Sequence, residues 1–106
     1  MEDTNTRLVL TNCPDQDTAR LLARTLVELN LAACVNILGR AESVYRWQGK
    51  LETETEIPIL IKCSADNFTA VKDRITDLHP YELPEIIAVP IVDGLEAYLT
   101  WIKESE

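Results

Sequence analysis

Apolar and polar positions along this chain recur with two periods, and the order in which the periods change lays out its elements. "RLVLTNC" (Arg7 to Cys13) predicts a short strand with Leu8 and Leu10 on one face and Val9 and Thr11 on the other. Pro14 and Asp15 open a helix, with Asp15 placed to cap the first turn and Asp17 near the positive end of the dipole. Within it Ala19, Leu22, Ala23, Leu26 and Val27 follow the spacing of one buried face, and Asn30 is a suitable left-handed stop. "LAACVNIL" reads as a second, largely buried strand, with Cys34 as a small apolar core residue.

The segment "SVYRWQGKLETETEI" predicts a hairpin whose two-residue turn, Gln48-Gly49, sets Trp47 opposite Lys50 and Tyr45 opposite Glu52. "IPILIKC" is a strand that enters the core, and Ser64 caps a second helix in which Phe68, Val71, Ile75 and Leu78 repeat at helical spacing. Pro80 ends that helix by pushing His79 out of the helical region. "EIIAVPI" is a last strand, and Asp93-Gly94 starts a C-terminal helix with Leu95, Tyr98, Leu99 and Ile102 inward. The order is β-α-β-β-α-β plus a final helix. That order predicts an α+β, ferredoxin-like sandwich: a four-stranded sheet with helices on one face, a long β-hairpin and an extra C-terminal helix. Residues 1–106 are expected to form one domain.

The hairpin is too long for the sheet of so small a unit. One face carries Tyr45 and Trp47 among Glu52, Glu54 and Glu56, and the other carries Val44, Leu51 and Ile57. A projecting two-stranded ribbon is marginal alone in water, and its open edges invite pairing. Packing between subunits removes both problems; the plainer alternative is a solvated flap.

Charge narrows the partners. The formal net charge is -8, from 18 acidic and 10 basic residues, and the basic residues are spread along the chain. Such a surface repels a polyphosphate backbone, so nucleic acid is excluded as a partner. The start, "MEDTNTRLVL", has neither the basic nor the apolar region of a secretory signal, and no apolar run approaches the ~18 residues of a membrane span. The three cysteines, Cys13, Cys34 and Cys63, are far apart with no C-x-x-C pair. Free thiols in a cytoplasmic protein are the expectation.

Candidate chemistry gathers in "LHPYELPEI", Leu78 to Ile86, which holds the chain's one histidine. A lone histidine before a proline is by itself more often a loop residue held by a hydrogen bond than a ligand. Cys13 stands at the exit of the first strand, where sheets often place sites, yet nothing nearby in sequence lowers its pKa. Glu52, Glu54 and Glu56 share a strand face that is ordinarily a solvated edge. No Ser-His-Asp arrangement, glycine-rich phosphate loop or paired-cysteine zinc pattern occurs, so no enzymatic turnover is expected.

In order along the chain, "LAACVNI", "SVYRWQGKLETETEI", "ILIKC", "HPYELPEII" and "YLTWI" resemble the CutA family of divalent-cation-tolerance proteins, over Leu8 to Ile102. The resemblance implies a ferredoxin-like protomer in a tight homotrimer whose long hairpins embrace neighbouring subunits, an architecture similar to that of the trimeric PII signalling proteins. It implies binding of divalent metal ions, Cu(II) foremost, in a response to metal ions. The alternative it carries is a PII-like small-molecule sensor or interaction protein with a ligand cleft between subunits. Some bacterial members have a proposed copper site made of a first-strand cysteine and a histidine pair before the proline of "HPY". Matched by position, the cysteine falls on Thr11 and the first histidine on Leu78, which leaves His79. Cys13, on the strand face of Thr11, is the substitute thiol, and Glu82 or Glu85 supplies an oxygen. The implied metal ligands are therefore His79, Cys13 and Glu85. The residues matching the family's cleft are Trp47, Glu56, Lys62, His79, Tyr81 and Glu85, with the loop prolines fixing the directions of Tyr81 and Glu85.

Overall fold

The computed structural model of the chain describes residues 3–105; Met1 and Glu2 of the acidic start, and Glu106, lie outside the described residues. The elements follow as β1 (Thr6–Cys13), α1 (Gln16–Glu28), β2 (Cys34–Ile37), β3 (Ala41–Trp47), β4 (Lys50–Ser64), α2 (Phe68–Leu78), β5 (Ile87–Pro90) and α3 (Glu96–Glu104). The sheet order is β2-β4-β1-β5, with β3 on β4, and every pairing is antiparallel. This is the α+β, ferredoxin-like arrangement that the periods predict.

The predicted hairpin arm and the predicted core strand are one continuous strand, β4, of 15 residues. It runs on because its partners change along it. Lys50 to Glu56 pair with β3, and Ile57 to Ser64 pair with β1. Pro58, which has no N–H to give a ladder, sits at the changeover, and its carbonyl accepts the Leu38 N–H at 3.0 Å. The turn falls at Gln48-Gly49, with φ of 50° and 80°, the two left-handed residues of a type I′ turn. Trp47 faces Lys50 and Tyr45 faces Glu52, as the sequence predicts. The ribbon lengthens the molecule: the radius of gyration is 14.4 Å, against about 13 Å for a compact chain of this size.

The core lies between one sheet face and α1 and α2. Val9, Cys13, Ile59, Ile61 and Cys63 meet Leu22, Leu26, Val71 and Ile75, all fully buried. The start of α1 is fixed by Asp15, whose carboxylate accepts the Thr18 N–H at 2.8 Å and is held below its ordinary pKa by that bond. Its end is fixed by Asn30 at φ 59°, with Asn30 N–H on the Val27 carbonyl and Leu31 N–H on that of Leu26. That pair of bonds is a Schellman motif.

Four expectations are corrected. β2 pairs only over Cys34–Ile37, and Ile37 and Leu38 are exposed, because β2 is an edge strand whose outer side has no neighbouring strand among the described residues. Cys34 is half-buried rather than in the core, since it shares the sheet face of Lys62, away from α1 and α2. Ser64 leads into a short 3-10 turn, Ala65–Asn67, before α2 begins. In α3 only Ile102 is buried, while Leu95 is 75% exposed and Tyr98 39%. The helix lies over the other sheet face, against Leu8 and Lys62, and covers only part of it.

Candidate functional site

Asn12 and Cys13 end β1 side by side and leave it on opposite faces. Cys13 turns into the core beneath α1 and α2. Burial, and then the charges of Asp15 and Glu56, push its thiol from the ordinary 9.0 up to about 11. It is therefore a protonated thiol at neutral pH, a poor nucleophile and a poor metal ligand. Asn12 turns the other way, and its amide lies 3.4 Å from Glu85 Oε1.

His79 follows the last residue of α2 in an extended conformation, φ -76° and ψ 134°, because Pro80 disfavours the helical one. That turns its ring inward, and the residue is 6% exposed. Nε2–H donates to the Asn12 carbonyl at 2.6 Å, and Nδ1 accepts the Tyr81 N–H at 3.2 Å. Both ring nitrogens are thus occupied by backbone, which ties the end of β1 to the loop after α2. The ring also packs on that of Tyr81, with centroids 4.6 Å apart. So held, Tyr81 reaches across to β4, where its hydroxyl donates to Glu56 Oε2 at 3.0 Å. Glu56 is 7% exposed. Burial first, and then the Glu56 carboxylate, raise the Tyr81 phenol well above its ordinary pKa.

Between this loop and the ribbon lies a cavity of about 550 Å³. Four carboxylates line it, Glu54, Glu56, Glu82 and Glu85, together with the rings of Tyr45, Trp47 and Tyr81. No lysine or arginine does. The Tyr45 phenol is also raised, by burial and then by Glu54, Glu52 and Glu56. Of the expected cleft residues, Trp47, Glu56, Tyr81 and Glu85 therefore meet around this space, and His79 backs the Tyr81 ring. Lys62 does not join them. It lies six residues further along β4, about 20 Å away, where its Nζ donates to Asn36 Oδ1 at 2.8 Å and stands 5.8 Å from the Tyr98 ring centroid.

The expected metal ligands His79, Cys13 and Glu85 are not brought to one point. Cys13 points into the core, both nitrogens of His79 are engaged, and Glu85 lies in the cavity. Among the described residues no group of three or more His, Cys, Asp or Glu side chains is placed to hold a metal ion. A thiolate–imidazole copper cage does not fit this protomer. Asn12, which anchors His79 and lines the cavity, has no signal in the sequence beyond its place at the end of β1. Glu54 and Tyr45 read as solvated edge and packing until they are seen to line one cavity with the loop.

The family model for CutA1 divalent ion tolerance proteins matches residues 7–105. The chain belongs to the CutA family. It is 44% identical over 98 residues to the divalent-cation tolerance protein CutA of Thermus thermophilus, a match covering 92% of this chain and 95% of that one. The crystal structure of CutA from Xylella fastidiosa is similar at a TM-score of 0.93 and 48% identity, covering 95% of this chain and 97% of the other. The periplasmic divalent cation tolerance protein CutA from Archaeoglobus fulgidus is similar at 0.91 and 36%, covering 94% and 97%. In this CutA chain the positions matched to a cysteine and a first histidine hold residues of another kind. Thr11 is fully buried, and its hydroxyl is the buried side-chain atom without a hydrogen-bond partner among the described residues. Leu78 packs against the core. No helix among the described residues is long and apolar enough to cross a membrane.

Proposed function

We propose that the protein is a homotrimer without catalytic turnover that binds divalent cations, copper foremost, at the acidic cavity. The observation that carries this is Glu56: a buried carboxylate facing three others, with no basic side chain in the lining. A site of that charge attracts cations and repels nucleotides and organic anions, so the PII-like alternative is kept only for a cationic ligand. Glu85 is the oxygen donor. His79 becomes the nitrogen donor when Nδ1, whose 3.2 Å bond is the longer of its two, releases the Tyr81 N–H. The family name supports the cation; the uncovered ribbon and the uncovered face around α3 support the trimer. The spacing of the three cysteines, far apart with no C-x-x-C pair, supports a cytoplasmic location.

Calorimetric titration with Cu(II) tests the site. His79→Ala and Glu85→Gln are each expected to weaken binding about tenfold or more, and Cys13→Ser to leave it unchanged. Equal affinity in all four proteins sinks the assignment. Light scattering in dilute neutral buffer is expected to give about three protomer masses, and a monomer at micromolar concentration overturns the assembly.

A further inference from the structure

We propose that Tyr81 is an internal latch: it occupies both His79 Nδ1 and Glu56, and a cation binds only from the state in which it has let go. The inference rests on the cation-binding reading for the ligand, whereas the latch itself can be tested without one. Tyr81 makes three contacts with these two residues. Its N–H donates to Nδ1 at 3.2 Å, its ring centroid lies 4.6 Å from that of His79, and its hydroxyl donates to Glu56 Oε2 at 3.0 Å. Nε2–H is spent on the Asn12 carbonyl, so the in-plane lone pair of the neutral ring is on Nδ1. That lone pair is what an imidazole offers a metal ion, and the Tyr81 N–H sits on it. Burial and then Glu56 raise the phenol above its ordinary pKa, so its hydroxyl remains a donor to Glu56 at neutral pH. One residue thus covers the nitrogen and the buried carboxylate together.

Little else holds the segment that carries the latch. His79 N–H closes α2 on the Ile75 carbonyl at 2.8 Å, and Ile87 begins the pairing of β5 with β1. Between them, residues 80–85 make no backbone-to-backbone hydrogen bond among the described residues. Their other side-chain tie is the Asn12 amide on Glu85, at a long 3.4 Å. Opening therefore breaks the Tyr81 contacts and leaves the sheet and both helices intact. The apparent affinity for a ligand falls by the fraction of molecules that are open. All three Tyr81 contacts lie within one protomer, so they hold whether or not assembly covers the ribbon.

The test uses the chain's one histidine. Diethyl pyrocarbonate acylates an imidazole through its free lone pair, so on the full chain it reads the opening of Tyr81 with no metal present. Modification of His79, followed by mass spectrometry at neutral pH, is expected to be about tenfold or more slower than that of N-acetylhistidine. Tyr81→Phe keeps the ring and the N–H and removes the hydroxyl bond. It is expected to raise the rate about fivefold and to tighten Cu(II) binding in calorimetry by the same factor, since both start from the open state. General loosening of the loop would not tighten binding. Glu56→Gln leaves a neutral acceptor; it is expected to raise the rate about twofold while weakening Cu(II), because it loosens the latch and removes a charge from the site. A native rate equal to that of N-acetylhistidine, or an unchanged rate in Tyr81→Phe, overturns the proposal. So does an unchanged Cu(II) affinity in Tyr81→Phe where the native chain binds copper. A raised rate in proteins that bind no copper upholds the latch and removes the metal reading alone.

Discussion

Within β4, Ile57, Ile59, Ile61 and Cys63 point beneath α1 and α2 and are at most 4% exposed, whereas Leu51 near the ribbon tip is 70% exposed and Val44, on the same ribbon face in β3, 60%. The backbone is continuous and the pairing unbroken across the two halves, so local propensity does not separate them. What differs is cover. The second half has two helices above it, and the first has only β3 beside it and, on one face, the Tyr81 loop. A strand half that keeps its hydrogen bonds but not its apolar cover is stable when something else supplies the cover. The trimer proposal follows from that contrast, and so does the position of the cavity, which lies where the covered half gives way to the open one.

The sharpest way to break the contrast is to truncate one residue from each half. Ile61→Ala is expected to cost about 2–5 kcal/mol at any protein concentration, because it opens a cavity in a closed core. Leu51→Ala is expected to change protomer unfolding by under about 0.5 kcal/mol and to act on assembly. Urea unfolding at two protein concentrations separates the two; an equal, concentration-independent loss means that the ribbon is covered within the protomer.

The covered half makes a second prediction through Cys13. Its folded-state pKa lies above its unfolded value, about 11 against 9.0. Its contribution to stability is therefore complete below pH 9 and is lost as pH rises toward 11, because the unfolded chain gives up the proton first. The loss reaches roughly 2–3 kcal/mol once the folded thiol also ionises. Urea unfolding between pH 8 and 11 is expected to slope downward in the native chain and less steeply in Cys13→Ala; parallel slopes mean that the thiol is not held neutral by burial. The open half makes the third. Trp47→Ala, on the ribbon, is expected to weaken assembly by about 1–2 kcal/mol, and by more than Trp101→Ala does on α3, where the ring stacks on Tyr98 at 5.4 Å. Equal effects in dilution experiments followed by light scattering remove the ribbon from the interface.

The covered half is also the legible one. Helical spacing marks Leu22, Leu26, Val71 and Ile75, and the short apolar runs around Val9 and Ile61 mark the core strands, because a closed core imposes its pattern on the sequence. Gln48-Gly49 is legible too, since a two-residue hairpin turn leaves little choice of register. At α3 the same reading fails: Leu95 and Tyr98 carry the inward pattern and stand exposed, because a period says that a face is to be covered and not what covers it. The site is legible in composition and not in geometry. His79, Tyr81 and Glu85 can be picked from one loop, but that His79 spends both nitrogens on Asn12 and Tyr81 depends on a strand end 67 residues away. The opposite directions of Asn12 and Cys13 do follow from alternation; which of the two faces the cavity does not.

The smallest effect is also the most local test of the covered half. Thr11 sits on β1 between Val9 and Cys13, fully buried, and its Oγ1 meets no hydrogen-bond partner among the described residues. A buried hydroxyl without a partner loses the water it bonds in the unfolded chain and gains nothing in return. Valine has nearly the same shape and the same branching at Cβ, and it suits a strand at least as well. Thr11→Val is therefore expected to leave the fold intact and to raise stability by up to about 1 kcal/mol, read as a higher urea midpoint at unchanged slope. The same substitution in the open half, Thr53→Val beside Val44 on the exposed ribbon, removes a hydroxyl that water already satisfies, so its unfolding midpoint is expected to stay put. If Thr11→Val instead destabilises by about 1 kcal/mol or more, the hydroxyl has a partner in solution, and the closed half of β1 holds a polar contact that its burial conceals.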